Sequence, residues 1–475
     1  MRLLIAGGGG FRVPLIYRAL VSGRFAGLVT ELVLYDVDPA RLDAVTAVLE
    51  RMPVGEGARV PVHATTDPAE ALPGTTVVFA AIRPGGTAGR VADEKVAQDL
   101  GLLGQETTGA GGISYALRTI PQMLGLARLM REHCPDAWLV NFTNPAGMVT
   151  EALLPALGHR VIGICDSAGG LVQRAAAAAG VQLPEGRLDG VGYYGLNHLG
   201  WLYRLESGGR DVLRGLLADA GALQSFEEGR LFPQPFLAQL GMLPNEYLYY
   251  YYQRDAARHA MQAMAQTRGE SIHSQQQELY PRLAAAGPDA YRLWEEARRS
   301  REEGYLAEAR HDGERRAEGD LAGGGYERVA LAAMRALAGR GDTQLVLNTR
   351  NTTAPAGTPE GHPPASATAA PPAPQPAIPG LPADAVVEVP CTVTAKGAVP
   401  LPQQAPDGPQ LRLLQRVKEV ERLVVRAAGT GAREAALEAF ARHPLVDSPD
   451  LAAKLLAGYE QAFPALGKIW EGGGR

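Results

Sequence analysis

A glycine turn between a short apolar strand and a helix opens the chain and constrains its fold more than any other feature. Arg2–Ala6 is mostly apolar, residues 7–10 are all glycine, and apolar residues then recur at helical spacing over residues 13–20. This order of strand, glycine turn and helix predicts the first unit of an α/β sheet.

The first half of the chain continues to alternate between strand and helix patterns. Helix candidates lie at residues 41–52 and 117–132, and strand candidates lie at residues 31–35, 76–82, 137–142 and 160–164. Such alternation is typical of an open parallel sheet. We therefore predict an α/β fold whose first domain, over about residues 1–195, is a Rossmann-like doubly wound sheet of the lactate/malate dehydrogenase type that binds NAD.

The second half of the chain has a different pattern. From about residue 213 it becomes mostly helical, with long amphipathic stretches at residues 284–308 and 411–441. We predict a mostly helical α+β domain over residues 196–475, which carries the catalytic, substrate-binding and oligomerisation surfaces. Within it, residues 352–382 consist mainly of Pro, Ala, Thr and Ser, and this composition predicts a flexible insertion before a strand at residues 386–389.

Charge and composition exclude several classes of function. The chain has 46 Lys and Arg against 51 Asp and Glu, so it lacks the basic excess of nucleic-acid or anionic-membrane binders. No apolar run approaches the roughly 18 residues that a membrane helix needs. The three cysteines are too widely spaced for a disulfide framework. We expect a cytoplasmic protein that binds neither nucleic acid nor membrane.

The glycine turn is also a candidate dinucleotide site. Small residues let the backbone approach a pyrophosphate, and the following helix presents free N–H groups. Asp36 ends the second strand candidate, where it is placed to accept ribose hydroxyls, which favours NAD over its phosphorylated form. The spacing is not a strict GxGxxG, because Arg12 takes the place of the third glycine. A purely structural turn and a loop-capping Asp36 are therefore alternatives on this pattern alone.

Two further segments carry side chains suited to metal binding. Cys165 and Asp166 follow the strand candidate at residues 160–164, at the sheet edge where open α/β folds bind ligands. His198 lies downstream in a polar break. A thiolate and an imidazole would make half of a divalent metal site, with substrate oxygens and water completing it. Ordinary core packing is the alternative for each residue taken singly.

Aromatic and basic residues add candidate acid–base and anion-binding groups. Five tyrosines lie within residues 247–252, and one phenol near a metal and an arginine could act as a base. Arg83, Arg90 and Arg268 are candidates for holding an anionic substrate group, because guanidinium matches phosphate bidentately.

Several stretches, taken in order, carry a resemblance to a known family. They are RPGG at 83–86, GQETTG at 104–109, NFTNPAG at 141–147, CD at 165–166, GLNH at 195–198, NEYL at 245–248, NTRN at 348–351 and VEVPC at 387–391. In order and spacing, from residue 1 to about residue 460, the chain resembles the NAD-dependent glycosidases of glycoside hydrolase family 4, and most closely the 6-phospho-β-glucosidases.

The resemblance implies a redox-assisted elimination on a phosphorylated sugar, unlike the hydrolysis that two carboxylates perform in most glycosidases. NAD takes hydride from C3 of the sugar, a base removes the acidified C2 proton, and the aglycone leaves C1. Water then adds and the hydride returns, so no net oxidation occurs. A divalent metal, manganese in many relatives, chelates the C2 and C3 oxygens.

The same resemblance implies a role for each matching residue. Cys165 and His198 match the metal ligands, Tyr247 the C2 base and Asp166 the acid for the leaving group. Glu106 matches a glutamate that assists a water or Asp166. Substrate contacts are implied for Asn144, Arg90 and Arg268, the two arginines at the sugar phosphate. The implied cofactor residues are Gly7, Gly8, Gly9, Gly10, Phe11, Asp36 and Arg83.

Several alternatives remain open on the sequence. The pair Cys165–Asp166 also occurs in 6-phospho-α-glucosidases, and a branch acting on unphosphorylated hexosides is a further possibility within the family. Outside it, an NAD-dependent 2-hydroxy-acid dehydrogenase and a catalytically silent sugar-phosphate sensor are the competing readings. The resemblance further implies a homodimer or homotetramer.

Overall fold

The structure is a computed structural model that describes residues 1–55, 58–310, 316, 325–353 and 375–472. Its strands are β1 (Arg2–Ala6), β2 (Glu31–Tyr35), β3 (Val62–Thr65), β4 (Val77–Ala80), β5 (Trp138–Asn141), β6 (Val161–Gly163), β7 (Val191–Leu196), β8 (Leu199–Ser207), β9 (Arg210–Asp211), β10 (Leu243–Pro244), β11 (Thr343–Arg350), β12 (Val386–Thr394) and β13 (Gly397–Pro400).

Six of these strands form a parallel half-sheet in the spatial order β3-β2-β1-β4-β5-β6. This is the doubly wound order of a Rossmann-like fold, so the predicted fold class is confirmed. Strand β3 escaped the sequence analysis because it lies at the sheet edge, where His63 and Ala64 are exposed and leave no apolar run.

The sheet continues into strands from the second half of the chain. Strands β11, β12, β7, β8 and β10 follow β6 in that order, and all of these pairs are antiparallel. Strand β11 pairs with β6 through one residue pair, Asn348 with Gly163, and β12 pairs with β7 through one residue pair, Glu388 with Gly195. The C-terminal part is therefore α+β, as predicted, while the proposed boundary near residue 195 stays a prediction.

The helices cover both faces of the sheet. They are α1 (Val13–Val21), α2 (Pro39–Arg51), α3 (Pro68–Ala71), α4 (Gly86–Asp99), α5 (Gly109–His133), α6 (Ala146–Leu157), α7 (Ser167–Ala178), α8 (Leu213–Ala218), α9 (Ala220–Leu223), α10 (Glu227–Leu231), α11 (Gln234–Leu240), α12 (Tyr249–Tyr252), α13 (Arg254–Ala263), α14 (Arg268–Ala285), α15 (Ala290–Glu303), α16 (Tyr326–Leu337), α17 (Gly408–Thr430), α18 (Arg433–Arg442), α19 (Pro449–Ala462) and α20 (Ala465–Gly472). Short 3₁₀ turns lie at Gly158–Arg160, Glu246–Leu248, Gly287–Asp289 and Ala307–Ala309.

Both long C-terminal stretches are mostly helical, as predicted, and each is interrupted at a glycine. The stretch at 284–308 is divided between α14 and α15 at Gly287, and the stretch at 411–441 is divided between α17 and α18 at Gly431. Gly287 has φ +53° and Gly431 has φ +73°. Glycine adopts this left-handed conformation without steric strain, so it commonly ends a helix.

Alternating residues of the strands supply two separate cores, one on each face of the sheet. Leu3 and Ile5 of β1 join the core beneath α1, α2 and α16, whereas Leu4 and Ala6 join the core beneath α5, α6 and α17. Because both faces are covered, the parallel strands other than β3 are mostly apolar, and this explains why the sequence shows them as short apolar runs.

The predicted insertion at 352–382 is shorter than expected at its carboxyl end. Residues 354–374 lie outside the described part of the chain. Residues 375–382 are packed, because the Asn351 side chain donates hydrogen bonds to the backbone oxygens of Ile378, Leu381 and Pro382, and the side chain of Ile378 is buried. Across the described residues, we find no helix with the length and apolar character needed to span a bilayer.

Candidate active site

Most of the residues singled out in the sequence lie where loops leave the carboxyl ends of the parallel strands. Gly7 follows β1, Asp36 follows β2, Arg83 follows β4, Asn144 follows β5 and Cys165 follows β6. These loops border one cavity of about 1230 Å³, which is also lined by His198, Glu106, Tyr247, Arg90 and Arg268. Open α/β sheets bind ligands at this edge, so the cavity is the candidate active site.

The glycine turn is packed too closely for side chains. Gly7 has φ +91°, and a Cβ atom there would lie 2.5 Å from the carbonyl oxygen of Ala81. Asp36 accepts hydrogen bonds from the backbone N–H groups of Gly9 (3.0 Å) and Asp38 (3.2 Å). Asp36 therefore does cap the loop, and it also lines the cavity, where each of its carboxylate oxygens can accept a further hydrogen bond. The turn fits a dinucleotide pyrophosphate.

A residue of the C-terminal half holds this glycine turn in place through a hydrogen bond. Tyr280 of α14 donates from its hydroxyl to the backbone oxygen of Gly9 at 2.7 Å. Arg41 of α2 lies over the Tyr280 ring at 3.8 Å and donates to the same hydroxyl at 2.6 Å. Tyr280 could not be identified from the sequence, because it looks like any apolar-face residue of an amphipathic helix.

The predicted metal ligands do come together. The Cys165 Sγ and His198 Nε2 atoms are 3.6 Å apart, although 33 residues separate them in the chain. Burial lowers the pKa of His198 to about 3, so the imidazole is in its neutral, ligating form. Burial, followed by Glu388 and Asp166, raises the pKa of the Cys165 thiol. A metal ion at this position would therefore displace the thiol proton on binding.

The donor pair fits one divalent ion. Two ligands of one ion, each at about 2.0–2.3 Å from it, lie roughly 3–4 Å apart, as these two atoms do. His198 has φ +62°, a backbone conformation that non-glycine residues seldom adopt and that clusters at functional sites. No group of three His, Cys, Asp or Glu side chains suited to a metal occurs among the described residues, so other ligands would come from substrate and water.

Tyr247 lies directly beside this pair. Its ring stacks on the His198 imidazole with centroids 3.7 Å apart and planes 7° from parallel. Burial, followed by the charges of Glu246 and Cys165, raises the pKa of Tyr247 well above its usual value. A phenol acts as a base more readily when its pKa is lowered, as a nearby metal or arginine would lower it. The protein groups alone have the opposite effect, which a cation at Cys165 and His198 would counteract.

Glu106 is held as an anion between two arginines. Its carboxylate oxygens lie 2.6 Å from Arg83 and 2.7 Å from Arg90. Burial alone would raise the pKa of Glu106, but Arg83 and Arg90 outweigh it and lower the pKa to about 2. Glu106 is therefore deprotonated at neutral pH and holds the two arginines in place.

Two further arginines face the cavity without a carboxylate partner within ion-pair distance among the described residues. Arg268 donates to the backbone oxygens of Gly304 and Arg301, and Arg301 lies over the Phe11 ring at 5.0 Å. The Arg301 Nε atom is buried and has no hydrogen-bond partner there. Burial and the charges of Arg12, Arg268 and Arg90 lower the pKa of Arg301 to about 9. An anion between Arg268 and Arg301 would offset this repulsion.

Asp166 and Asn144 line the same cavity. Burial raises the pKa of Asp166, and the nearby Arg12 opposes that change. Arg12 itself pairs with Glu302 at 3.2 Å. The Asn144 Oδ1 atom is buried without a hydrogen-bond partner in the described region, so it is available to a donor on a ligand.

A buried carboxyl group supports the loop that carries His198. Glu388 of β12 accepts hydrogen bonds from Tyr193 (3.0 Å), Asn348 (3.0 Å) and Asn197 (3.4 Å). Burial raises the pKa of Glu388 to about 7. The stretch at 387–391 contributed to the resemblance but had no assigned role, and the structure places its glutamate behind the His198 loop.

Two models of known protein families match the chain. The model of the family 4 glycosyl hydrolases matches residues 2–181, and the model of the family 4 glycosyl hydrolase C-terminal domain matches residues 193–446. The two matches together include every candidate site residue named above.

Individual relatives are 6-phospho-glucosidases. The chain is 40% identical over 217 residues to 6-phospho-alpha-glucosidase 1 of Lacticaseibacillus paracasei, a match that spans 45% of this chain and 48% of that protein. It is 27% identical over 461 residues to the 6-phospho-beta-glucosidase BglT of Thermotoga maritima, spanning 96% of this chain and 98% of the relative.

A solved structure extends the likeness to the whole fold. The 6-phospho-beta glucosidase from Thermotoga maritima, determined with manganese, NAD⁺ and glucose-6-phosphate, superposes with a TM-score of 0.77 at 25% identity. The superposition covers 98% of this chain and 99% of that one. With both family models matched in sequence order and the fold shared along its length, the chain belongs to glycosyl hydrolase family 4.

Proposed function

We propose that this chain is an NAD- and divalent-metal-dependent 6-phospho-β-glucosidase, which hydrolyses phosphorylated glucosides. One observation carries the phosphate assignment: Arg268 and Arg301 face the cavity with no carboxylate partner among the described residues. A dianionic phosphate suits two half-buried guanidinium groups. The full-length likeness to a protein named as a 6-phospho-beta-glucosidase supports the same substrate class.

The cofactor and metal fit separate parts of the cavity. The turn at residues 7–10, with Phe11, Asp36 and Arg83, would hold NAD, and Cys165 with His198 would hold a divalent ion, for which manganese is the first candidate. When bound, NAD supplies a hydride acceptor and donor for C3 of the sugar, and the ion supplies Lewis acidity at the C2 and C3 oxygens.

The residues of this chain would supply binding, orientation and proton transfer. Tyr247 would take the C2 proton, because its phenol lies against His198 and so beside the reacting carbons. Asp166, whose pKa burial raises, would donate a proton to the leaving oxygen. Asn144 would contact the sugar hydroxyls, and Arg90 with Arg268 and Arg301 would hold the 6-phosphate.

The charge state of Glu106 narrows its role. A carboxyl group with a pKa of about 2 carries no proton at neutral pH, so Glu106 would orient a water or steady the nearby arginines. Binding energy gained at the phosphate, remote from C1, C2 and C3, would favour the reactive geometry at those carbons.

Release of nitrophenol from the β-linked nitrophenyl glucoside 6-phosphate tests the proposal. The assay is run with and without NAD⁺ and Mn²⁺, under reducing conditions, beside the α-anomer and the unphosphorylated β-glucoside. We expect turnover of the phosphorylated β-anomer only when both additions are present, without stoichiometric NADH. Silence on every phosphorylated glucoside, from folded protein that binds NAD, would contradict the proposal.

The same assay separates the competing functions. Preference for the α-anomer would assign a 6-phospho-α-glucosidase, the activity that names the Lacticaseibacillus paracasei relative, and equal activity on plain glucosides would remove the phosphate requirement. NADH accumulating with a 2-hydroxy acid would indicate a dehydrogenase, and ligand binding without turnover would indicate a sensor. We further propose a cytoplasmic homodimer or homotetramer that takes a small phosphorylated sugar.

A further inference from the structure

The wall of the cavity behind Tyr247 is built from three residues that neither the sequence analysis nor the proposed function uses. The Tyr305 hydroxyl lies 3.4 Å from the Tyr247 hydroxyl and 3.3 Å from the Glu246 Oε1 atom. The Ser167 hydroxyl donates to the same Glu246 oxygen at 2.6 Å. One carboxyl oxygen therefore joins the start of α7 to the segment after α15, next to the Tyr247 phenol.

Two guanidinium groups also pack against the ring of Tyr305. The guanidinium groups of Arg268 and Arg316 lie 5.3 Å and 5.0 Å from its ring centroid. Arg268 further binds the backbone oxygen of Gly304, the residue before Tyr305. Tyr305 thus contacts both Arg268 of the candidate phosphate site and the candidate base Tyr247.

Glu246 anchors this arrangement with a buried carboxyl group. Burial, followed by the charge of Glu228, raises the pKa of Glu246 above its usual value. Its Oε1 atom accepts from two hydroxyls, those of Ser167 and Tyr305. Among the described residues, the Tyr305 hydroxyl is the hydrogen-bond partner of the Tyr247 hydroxyl, and the Tyr247 ring in turn stacks on His198.

We infer that Tyr305, anchored by Glu246, is the positioning residue that holds the Tyr247 phenol in place for removal of the C2 proton. The inference rests on the proposed function, since it assigns a supporting residue to that reaction. It also explains how phosphate contacts at Arg268 would reach the reacting carbons: an anion there fixes the guanidinium that packs on the Tyr305 ring.

The test uses conservative variants of the full chain. Tyr305→Phe removes the connecting hydroxyl, Glu246→Ala removes the shared acceptor, and Glu246→Gln keeps an acceptor oxygen. Tyr252→Phe is the matched control, because it deletes a hydroxyl that accepts from Trp201 at 3.0 Å in the same tyrosine run, away from the cavity.

We expect Tyr305→Phe and Glu246→Ala to lower kcat about 10- to 100-fold, as a small misplacement of a reacting group does, with KM within about threefold of the unmodified protein. The kinetic isotope effect with C2-deuterated substrate should rise, because proton removal becomes slower. The two substitutions together should lower kcat no further than the stronger one alone. Glu246→Gln and Tyr252→Phe should keep kcat within about threefold.

A crystal structure of Tyr305→Phe gives a readout that needs no turnover. We expect the Tyr247 ring to move off the His198 imidazole. An unmoved ring, an unchanged isotope effect or additive losses in the double variant would overturn the inference. If the unmodified protein hydrolyses no phosphorylated glucoside, the proposed function fails, and the position of Tyr247 in the variant alone decides whether Tyr305 holds it.

Discussion

The imidazole of His198 and the phenol of Tyr247 are stacked almost parallel, with ring centroids 3.7 Å apart. The candidate base is therefore in contact with a candidate metal ligand, and any cation held by His198 would lie beside the phenol. Among the protein groups alone, burial and nearby negative charge keep the Tyr247 proton in place. The geometry links proton removal to metal binding, and this link makes the metal site the first target for experiment.

Substituting Cys165 with serine should abolish tight manganese binding. The change removes the sulfur that lies 3.6 Å from His198 Nε2 and leaves one strong protein ligand. The loss should exceed the roughly 10- to 100-fold that removal of an outer-shell partner causes. Manganese affinity is measured by electron paramagnetic resonance of the free ion, and glycosidase activity is measured in parallel.

Cys391→Ser is the control for that substitution. The Cys391 thiol is fully buried in β12 and donates to the backbone oxygen of Val389, so a hydroxyl can replace it locally. Manganese affinity should be unchanged in this variant. Equal affinity in Cys165→Ser and the unmodified protein would show that the sulfur is not a ligand.

Replacing Arg301 with methionine should weaken binding of the phosphorylated sugar. A hydrogen bond to a charged group contributes about 1.5–3 kcal/mol, which corresponds to a KM or inhibition constant raised about 10- to 100-fold. The constants are measured for the nitrophenyl glucoside 6-phosphate and for glucose 6-phosphate as inhibitor. Arg292→Met, on the exposed face of the same helix, should change neither. An unaffected constant in Arg301→Met would exclude Arg301 from the phosphate site.

The parallel sheet and most of its site loops could be predicted because their signals are local. The buried strands that precede Gly7 and Cys165 can be recognised in the sequence, because each is an apolar run followed by a polar or glycine break. Since parallel strands end at one sheet edge, the residues after β1, β4, β5 and β6 had to converge there. The resemblance then supplied His198 and Tyr247, which no strand pattern would have paired.

Arg301, Tyr280 and Tyr305 could not be predicted, because their roles depend on how the C-terminal helices dock on the sheet. Arg301 is one of several arginines on α15, and only packing against Phe11 separates it from its surface neighbours. Tyr280 resembles a core residue in the sequence, and only the structure shows that its hydroxyl donates to the backbone oxygen of Gly9. Helical periodicity gives the face of a helix that is buried, and it does not say which element covers that face.

Removing the Tyr280 hydroxyl should weaken NAD binding. Tyr280→Phe loses the donor to the Gly9 backbone oxygen and the acceptor for Arg41, which together fasten the cofactor turn. One net hydrogen bond contributes about 0.5–1.5 kcal/mol, so the dissociation constant of NAD⁺ should rise about 2- to 13-fold. Tyr17→Phe, which removes a hydroxyl bonded to the Val60 backbone oxygen, is the control. Titration calorimetry measures the dissociation constant of NAD⁺ for both variants. If Tyr280→Phe binds NAD⁺ as tightly as the unmodified protein does, the Tyr280 hydroxyl does not contribute to cofactor binding.

The stability of the fold should fall as the pH drops below about 6.5, in part because of His443. This side chain is buried, and burial with the charges of Arg416 and Arg254 lowers the pKa of His443 to about 3. The unfolded chain therefore binds a proton between about pH 6.5 and 3 that the folded chain does not bind. That difference removes about 2 kcal/mol of unfolding free energy between pH 7.5 and pH 5.

His443→Asn isolates this contribution. The Asn Oδ1 atom can accept from the Leu445 backbone N–H in place of His443 Nδ1, and it does not titrate. Urea unfolding at pH 7.5 and pH 5 should show the variant losing about 2 kcal/mol less than the unmodified protein. Identical losses in the two proteins would mean that His443 already titrates near its ordinary pKa in the folded state, and that its surroundings admit the charged imidazole.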